Sequence, residues 1–431
     1  MKSVPLTREA VCRFLAVFNK LMGLLALFAL SFPSRYINVL LSGWAISWLF
    51  DAAAAGRLAR PRFQAKYLAI YSLLVIYLLM AVSLAYTENL AYAGRLFERR
   101  LAFVILPLLA MFGLSAEYDD KTPYIKAFIA GNVVSLLVSI AWPLGLALFT
   151  DTFQPADLMG QVRLFLQDGY VRPTELGLFA IAGWLLGVYL YRGTPAAAKR
   201  LGPVWFQLVW GIYLLLIFGW MWLLGSRLNM LTALFMAAFL LFRDLWGRHR
   251  WCAVGAALLG VVLLGAVYHQ HPRFKLVQPD SIHFTSDFRS QDPRMGIWYG
   301  AVQILNEDHC WLTGLGVGDV RDRLVEKYQE VFANEQRILA RVTREKRHVH
   351  NNFLEMTLEM GLPALLVLVF LLVWPLGRCH SHPSYWLVLL LWLCVLMRMM
   401  VDAPFVNLRE IAGFCFLWLF FADFDAGRKP A

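Results

Sequence analysis

The sequence predicts an all-α polytopic membrane protein with about 12 transmembrane helices and one large helical loop outside the membrane. Hydrophobic residues make up 59% of the 431 positions and charged residues only 16%. A soluble domain averages about 45–50% apolar and about 25% charged residues. The net charge of +11 would also suit a nucleic-acid partner. However, the basic residues lie mainly in short loops between apolar blocks, as membrane orientation requires, so no nucleic acid is expected.

Twelve apolar blocks define the predicted spans, because each approaches the ~20 residues that cross a bilayer. The first block has no small-residue cleavage site, so it is interpreted as a span and not as a signal peptide. The fourth and eighth blocks are short, and the count could change by one. The spans are residues 12–31, 37–54, 67–86, 101–115, 125–150, 175–191, 204–225, 228–243, 251–268, 353–377, 384–401 and 409–424.

Loop charge predicts the orientation, because cytoplasmic loops collect Lys and Arg. Both termini are therefore expected in the cytoplasm, and only the stretch "RLFERR" opposes this assignment. The topology divides the chain into a membrane domain (1–268), an exported cap loop between spans 9 and 10 (269–352), and a membrane domain with a cytoplasmic tail (353–431). A second exported segment, around residues 151–177, contains Arg163 and Arg172 and is expected to lie along the interface.

The cap loop has the pattern of a folded helical insert. In "QDPRMGIWYGAVQIL", Asp292 is the expected N-cap and Pro293 the first helical residue. A second amphipathic pattern covers residues 319–347, and "GLGVG" between the two is interpreted as a tight turn because it lacks the context of a nucleotide loop. The expected apolar faces are Ile297, Trp298, Ala301, Val302 and Leu305 in the first pattern, and Leu324, Tyr328, Val331, Phe332, Ile338 and Val342 in the second.

Two arginines are candidates for binding an anion. Arg227 lies between two apolar spans with almost no loop, where a buried arginine is expensive and usually faces a cavity. The alternative is a snorkelling arginine at a tight turn. Arg294 occupies the first turn of a helix, where its charge opposes the dipole unless an anion binds there. Arg289 is close by in sequence, and both could equally be solvated surface arginines.

The stretch "RHVHNNFLEMTLEMG" concentrates polar groups at the start of the tenth span. His348 and His350 have a zinc-like spacing, but no other His or Cys cluster would complete the shell, so no metal is expected. A neutral histidine here would serve as a general base, and the alternative is a histidine that caps the next helix. Asn351 or Asn352 could be the N-cap instead, which would leave a histidine free.

Three acidic side chains near these spans have simpler structural explanations. Glu355 and Glu359 lie one turn apart, and Glu359 would need an ion pair with an exported arginine to offset its burial. Glu355 keeps an auxiliary role as an alternative. Arg398 and Asp402 are interpreted as a helical i,i+4 pair on the exported rim.

The order of these motifs resembles a known family. "GSRLNM" is followed by an exported loop with "DPRMGIWYGA" and "GLGVGD", and then by "HVHNNFLEMTLEMGLPALL". Over residues 222–365 this pattern is similar to the O-antigen ligase/polymerase superfamily of bacterial envelope glycosyltransferases. The resemblance implies an inner-membrane O-antigen ligase that transfers a glycan from undecaprenyl diphosphate to a lipid A–core sugar hydroxyl at the periplasmic face. It implies no metal, nucleotide or other cofactor.

The resemblance also implies roles for individual residues. His350 would be the base, and Arg227 and Arg294 would hold the diphosphate, with Arg289 replacing Arg294 if the alignment shifts. His348, Asn351, Glu355, Arg163 and Arg172 would be auxiliary. The alternatives are an O-antigen polymerase and a transporter of lipid-linked glycans, for which the arginines would guide an anionic substrate.

Overall fold

The computed structural model describes the chain in segments, and within them the backbone is helical with no β-strand. Several sequence-based expectations lie outside the described residues: the predicted ninth span (251–268) for the most part, the segment with Arg163 and Arg172, the N-cap Asp292, and Arg289. The described residues are 8–32, 34–113, 121–149, 173–193, 202–224, 226–246, 293–333, 336–344, 348–379 and 385–421, with isolated positions between 251 and 265.

Fifteen α-helices occupy these segments. They are α1 (Arg8–Ala29), α2 (Ser34–Ala54), α3 (Leu68–Ser83), α4 (Leu90–Arg99), α5 (Ala102–Phe112), α6 (Thr122–Phe149), α7 (Pro173–Gly193), α8 (Pro203–Leu224), α9 (Arg227–Trp246), α10 (Pro293–Glu307), α11 (Val320–Val331), α12 (Gln336–Arg344), α13 (Asn352–Cys379), α14 (Tyr385–Val401) and α15 (Leu408–Phe421).

Eight helices of the described segments are long and apolar enough to cross a membrane: α1, α2, α3, α6, α7, α8, α9 and α13. The predicted fourth, eleventh and twelfth spans correspond to α5, α14 and α15, which have 11, 17 and 14 residues. These are shorter than the ~20 residues of a straight span. The all-helical membrane architecture is therefore confirmed, while the count of about 12 spans stays a prediction.

The chain divides into two compact units. The first comprises residues 1–22, 42–120 and 280–431, and the second comprises 23–41 and 121–279. In the second unit, α6, α7, α8 and α9 pack on one another, and their buried polar groups pair internally. The Trp220 indole N–H donates to the Ser139 hydroxyl at 2.6 Å, and the Ser31 hydroxyl donates to Asn132 at 2.5 Å. Such pairing removes the cost of burying a polar group in an apolar bundle.

The first unit is built around α3 and α13, which pack against each other along their length. A kink interrupts α13 at Gly361, whose backbone has φ 75° and ψ −170°. Because the kink breaks the helical ladder, the Leu358 carbonyl accepts from the N–H of Leu315 at 2.7 Å, and the Leu362 N–H donates to the Trp311 carbonyl at 2.7 Å. The loop between α10 and α11 is thus bonded to the kink.

The helices α10, α11 and α12 share one apolar core, as expected for a folded helical insert. The helix α10 begins at Pro293, as predicted. The prediction that Val302 belongs to the buried apolar face of α10 is wrong, because 36% of its surface is exposed. The others are confirmed: Ile297, Ala301, Leu305, Leu324, Tyr328, Phe332 and Val342 are buried in the core, and Trp298, Val331 and Ile338 pack against it.

The glycine run between α10 and α11 is a tight turn, as predicted. Gly314 and Gly316 have φ of +68° and +98°, a region that side chains with a Cβ rarely adopt. A Cβ on Gly314 would lie 2.5 Å from the backbone of Glu359, and one on Gly316 would overlap the Thr87 hydroxyl. The glycines therefore serve the close packing of this turn against α13 and the end of the α3–α4 loop.

Gly361→Ala should destabilise the protein. A left-handed backbone costs a residue with a Cβ roughly 1–3 kcal/mol, and the added Cβ would overlap the Leu312 carbonyl. We expect a lower thermal unfolding midpoint in detergent. The matched control is Gly377→Ala on the same helix, where the space around the Cβ is open and the change should be neutral or stabilising by up to about 1 kcal/mol. Equal midpoints for the two variants would contradict this assignment.

Candidate functional site

The candidate site lies in the short loop before α13, which two buried hydrogen bonds hold in place. The Trp298 indole N–H donates to the Val349 carbonyl at 3.0 Å. The Val349 N–H donates to a Glu355 carboxylate oxygen at 2.9 Å, so Glu355 fixes the loop from inside the helix that follows. Val349 and Glu355 are both buried. The loop backbone is therefore anchored at Val349, between His348 and His350.

Asn351 is the N-cap of α13. Its side-chain oxygen accepts from the N–H groups of Phe353 at 3.0 Å and Leu354 at 3.1 Å. Its amide nitrogen donates to the Met400 carbonyl at 3.3 Å, which ties the cap to the end of α14. A cap of this kind contributes typically about 1 kcal/mol to helix stability. Because Asn351 caps the helix, His350 is left free of that role, which was one of the alternatives that the sequence left open.

His350 adopts a strained conformation between two acceptors. Its φ is +54°, a left-handed value that costs a residue with a Cβ about 1–2 kcal/mol. Its backbone N–H donates to Nδ1 of His348 at 3.1 Å, and the two rings lie 4.3 Å apart between centroids. Its own Nδ1 lies 3.2 Å from Oδ1 of Asp402. The turn therefore directs the imidazole of His350 onto a carboxylate from a distant part of the chain.

These contacts assign the tautomers of both histidines. An ionised Asp402 accepts hydrogen bonds only, so Nδ1 of His350 carries the proton and Nε2 carries the lone pair. Nε2 is buried and has no hydrogen-bond partner within the described segments. His348 accepts at Nδ1, so its proton is on Nε2, which lies 3.5 Å from the same Asp402 oxygen. His350 thus has the arrangement of a general base oriented by an acid.

Asp402 is held ionised by a buried arginine. Arg398 donates to the second Asp402 oxygen at 2.7 Å, and it also makes two hydrogen bonds, at 2.9 and 2.8 Å, to Glu410 of α15. Burial by itself raises the pKa of the Asp402 carboxyl, but Arg398 and the two imidazoles lower it by more, so the pKa lies well below its ordinary value. The predicted i,i+4 pair of Arg398 and Asp402 is confirmed.

The same groups have the geometry of a possible metal site. Ligand atoms of His348, His350 and Asp402 lie within 4.8 Å of one another. Sequence reasoning considered only histidine and cysteine as further ligands, so it did not identify Asp402 beside the histidines. However, Arg398 lies 2.7 Å from the other Asp402 oxygen, and a divalent cation on this carboxylate would be repelled by the guanidinium. The arginine favours a proton-handling site over a metal site.

Of the two arginines predicted to bind an anion, the structure describes the position of Arg294 better than that of Arg227. Arg294 lies in the first turn of α10, four residues before Trp298 and therefore on the same helix face. Trp298 bonds to the histidine loop, so this spacing places Arg294 about one helical turn from that contact. Arg227 begins α9 in the other unit, and its side chain lies outside the described residues.

Glu359 forms the ion pair that its burial required. Arg100 donates to both carboxylate oxygens, at 2.6 and 2.9 Å, and its Nε donates to the Phe405 carbonyl at 2.8 Å. Both side chains are fully or almost fully buried. The predicted pairing of Glu359 with an arginine is confirmed, and that arginine is Arg100, while its exported position stays a prediction. A buried ion pair is by itself weak evidence of stability, but removing one partner leaves a costly buried charge.

Sequence reasoning missed Asp402 as the partner of His350. The two residues are 52 positions apart, and the local i,i+4 spacing of Arg398 and Asp402 gave a sufficient structural explanation. The predicted topology contained a usable signal, because it placed the start of the tenth span and the end of the eleventh on the same side of the membrane. Glu410 gave no signal in the sequence.

Comparison with known proteins adds one finding. No curated protein matches the sequence. Residues 212–369 match the family model described as O-antigen ligase. The matched region covers less than half of the chain, but it contains Arg227, Arg294 and the histidine loop. Over this region the chain is therefore similar to the O-antigen ligase family.

Proposed function

We propose that the protein is an inner-membrane O-antigen ligase that transfers a glycan from undecaprenyl diphosphate to a hydroxyl of a lipid A–core sugar at the periplasmic face. The observation that carries this proposal is the oriented base: Asp402 engages Nδ1 of His350 and leaves Nε2 buried and unpaired within the described residues. The family match supports the same class of glycan transfer.

The proposed reaction is a direct displacement. His350 Nε2 takes the proton of the acceptor hydroxyl while the hydroxyl oxygen attacks C1 of the donor sugar. The bond between C1 and the phosphate oxygen breaks, and its electron pair leaves with undecaprenyl diphosphate. Attack opposite the leaving group inverts the anomeric centre. Proton removal by a positioned base typically contributes ~10²–10⁴-fold to the rate.

Arginines would stabilise the diphosphate as its charge develops. Arg294 is one helical turn from the contact between Trp298 and the histidine loop, and a guanidinium there would act together with the N–H groups of the α10 N-terminus. Arg227 is the second proposed clamp, with Arg289, Arg163 and Arg172 as further candidates from the sequence. His348 would assist by holding the His350 backbone and the shared carboxylate.

Two alternatives share parts of this description. An O-antigen polymerase would use the same donor and base but would extend a lipid-linked glycan, so its product would remain on undecaprenyl diphosphate. A transporter would move the lipid-linked glycan without forming a glycosidic bond. The match to the family model described as O-antigen ligase favours bond formation over transport.

His350→Asn should abolish glycan transfer. Asparagine tolerates the left-handed backbone but cannot accept the proton, so the rate should fall by about 10²–10⁴-fold. The measurement is transfer to lipid A–core by the protein reconstituted in vesicles with an undecaprenyl diphosphate-linked glycan. His309→Asn is the matched control, because His309 also has a positive φ and is exposed. Transfer at the wild-type rate by His350→Asn would refute the assignment of the base.

Asp402→Asn should lower kcat and leave KM nearly unchanged. The asparagine amide can donate to Nδ1 of His350, which would move the proton to Nε2 and remove the base. We expect a loss of about 10²–10⁴-fold in kcat, similar to that of losing the base itself. Asp244→Asn is the control, because this carboxylate is 53% exposed. A change confined to KM would indicate that Asp402 positions substrate and not the imidazole.

Removal of divalent metals should leave transfer unchanged. The Arg398 guanidinium occupies one oxygen of the carboxylate that a metal would need. The measurement is transfer by protein dialysed against a chelator, with and without added zinc. Loss of activity that zinc restores would instead establish a metal at His348, His350 and Asp402.

A further inference from the structure

A cavity of about 220 Å³ lies between α4 and the N-terminal turn of α11. It is lined by Arg95 and Arg99 of α4, by Arg321 of α11, and by Tyr92, Asn89 and Asp322. Three guanidiniums therefore face one carboxylate across a small space. The proposed catalytic machinery uses none of these residues.

Two of the three guanidiniums, those of Arg321 and Arg95, lie close to the ring of Tyr92. The Arg321 guanidinium carbon lies 4.8 Å from the centroid of the Tyr92 ring, and that of Arg95 lies 5.5 Å from the same centroid. Each contact is favourable by itself as a cation–π interaction. Two cations held near one ring repel each other, and the repulsion grows where solvent is partly excluded. A bound anion would remove this repulsion.

None of the three arginines is hydrogen-bonded to a carboxylate in the part of the chain that the structure describes, although the buried Glu355 carboxylate interacts electrostatically with Arg321. Arg95, Arg99 and Arg321 form no ion pair there, and Nε of Arg321 is buried without a hydrogen-bond partner. The one lining carboxylate, Asp322, accepts from the Asn89 side-chain amide at 2.9 Å. A buried unsatisfied donor costs about 1–3 kcal/mol, so a ligand that accepts from it would be favoured.

Arginines adjacent in sequence to those of the cavity are hydrogen-bonded to carboxylates. Arg323, two residues after Arg321, donates to Asp308 at 2.8 and 2.9 Å and to Glu326 at 3.2 Å. Arg100, next to Arg99, is fully paired with Glu359. The adjacent arginines therefore have hydrogen-bonded carboxylate partners, whereas the arginines that line the cavity have none within the described segments.

The position of α4 indicates what kind of anion would reach the cavity. The helix is short and amphipathic, and it begins with Leu90, whose surface is 60% exposed. Such helices lie at the boundary between membrane and water. Arg95 and Arg99 belong to the "RLFERR" stretch, which opposes the charge rule on the side that the sequence predicts to be exported. Arginines retained there against the topological preference are explained if they bind a ligand.

We propose that this cavity binds the phosphate group of a lipid headgroup. A guanidinium presents paired donors that match phosphate oxygens, and three of them provide the charge. The volume is below the ~300–1,000 Å³ of pockets that enclose a drug-sized ligand, so it suits a phosphate and not an oligosaccharide. Neither of the proposed diphosphate clamps, Arg227 and Arg294, is among the residues that line the cavity, and its occupancy does not depend on glycan transfer.

Binding of short-chain phosphatidic acid to the full-length protein in detergent tests the proposal, with bound lipid counted by native mass spectrometry. Arg321→Gln should weaken binding about tenfold or more, since it removes a charged hydrogen bond. Arg344→Gln is the matched control on α12, where an exposed arginine outside the cavity is lost. No glycan donor is present, so the outcome is independent of the proposed transfer reaction.

A second cavity variant with its own control keeps the proposal testable if Arg321→Gln fails to fold. Arg95→Gln with Arg99→Gln changes two exposed side chains and should weaken binding comparably, whereas Arg60→Gln with Arg62→Gln removes two exposed charges elsewhere and should not. Equal losses in the cavity and control variants would overturn the proposal, as would unchanged binding in both cavity variants. Diacylglycerol of the same chain length that binds equally well would refute a phosphate ligand. Inorganic phosphate that displaces the lipid at equal concentration would refute a lipid-borne one.

Discussion

The Asp402 carboxylate connects three parts of the first unit. One oxygen faces the imidazoles of His348 and His350, and the other accepts from Arg398. Arg398 continues the chain of contacts to Glu410 of α15. The loop before α13, the end of α14 and the start of α15 are therefore tied through one buried side chain. Because this carboxylate remains ionised, it fixes which nitrogen of His350 carries the proton.

The surrounding helices make this arrangement rigid. The kink at Gly361 exposes carbonyl groups of α13, and the turn after α10 bonds to them through Leu315 and Gly316. The helix α10 then reaches the histidine loop through Trp298. On the other side of α13, the buried pair of Arg100 and Glu359 connects it to the segment before α5. A general base held on such elements keeps its geometry without reorganisation during the reaction.

Local features of this site could be predicted from the sequence, because short-range physical rules govern them. Pro293 at the first turn of α10 and Asn351 as the N-cap of α13 follow from backbone preferences. Apolar periodicity gave the cap core, but it placed Val302 inside although this residue lies at the edge of the buried stripe. The expected burial of Glu359 predicted that it needs a cationic partner. That this partner is Arg100 could be seen only in the folded structure.

The partner of His350 could not be predicted, because no local pattern connects residues 52 positions apart. Asp402 already had a satisfactory partner in Arg398, one helical turn away, and this concealed its second role. The three arginines that line the cavity are also far apart in the sequence, since Arg95 and Arg99 precede the cap and Arg321 lies within it. The sequence indicated only that "RLFERR" was anomalous, and the structure shows the cavity that these arginines line.

The central claim is that Asp402 sets the tautomer of His350, and the protonation of its ring nitrogens tests this directly. Solid-state NMR of the protein in lipid, with ¹⁵N-labelled histidine, can assign the His350 signals among nine histidines by difference from His350→Asn. We predict a protonated Nδ1 and an unprotonated Nε2 at neutral pH, with the two exchanged in Asp402→Asn. A proton on Nε2 in the wild-type protein would contradict the account, because that nitrogen could not then accept the proton of the acceptor hydroxyl.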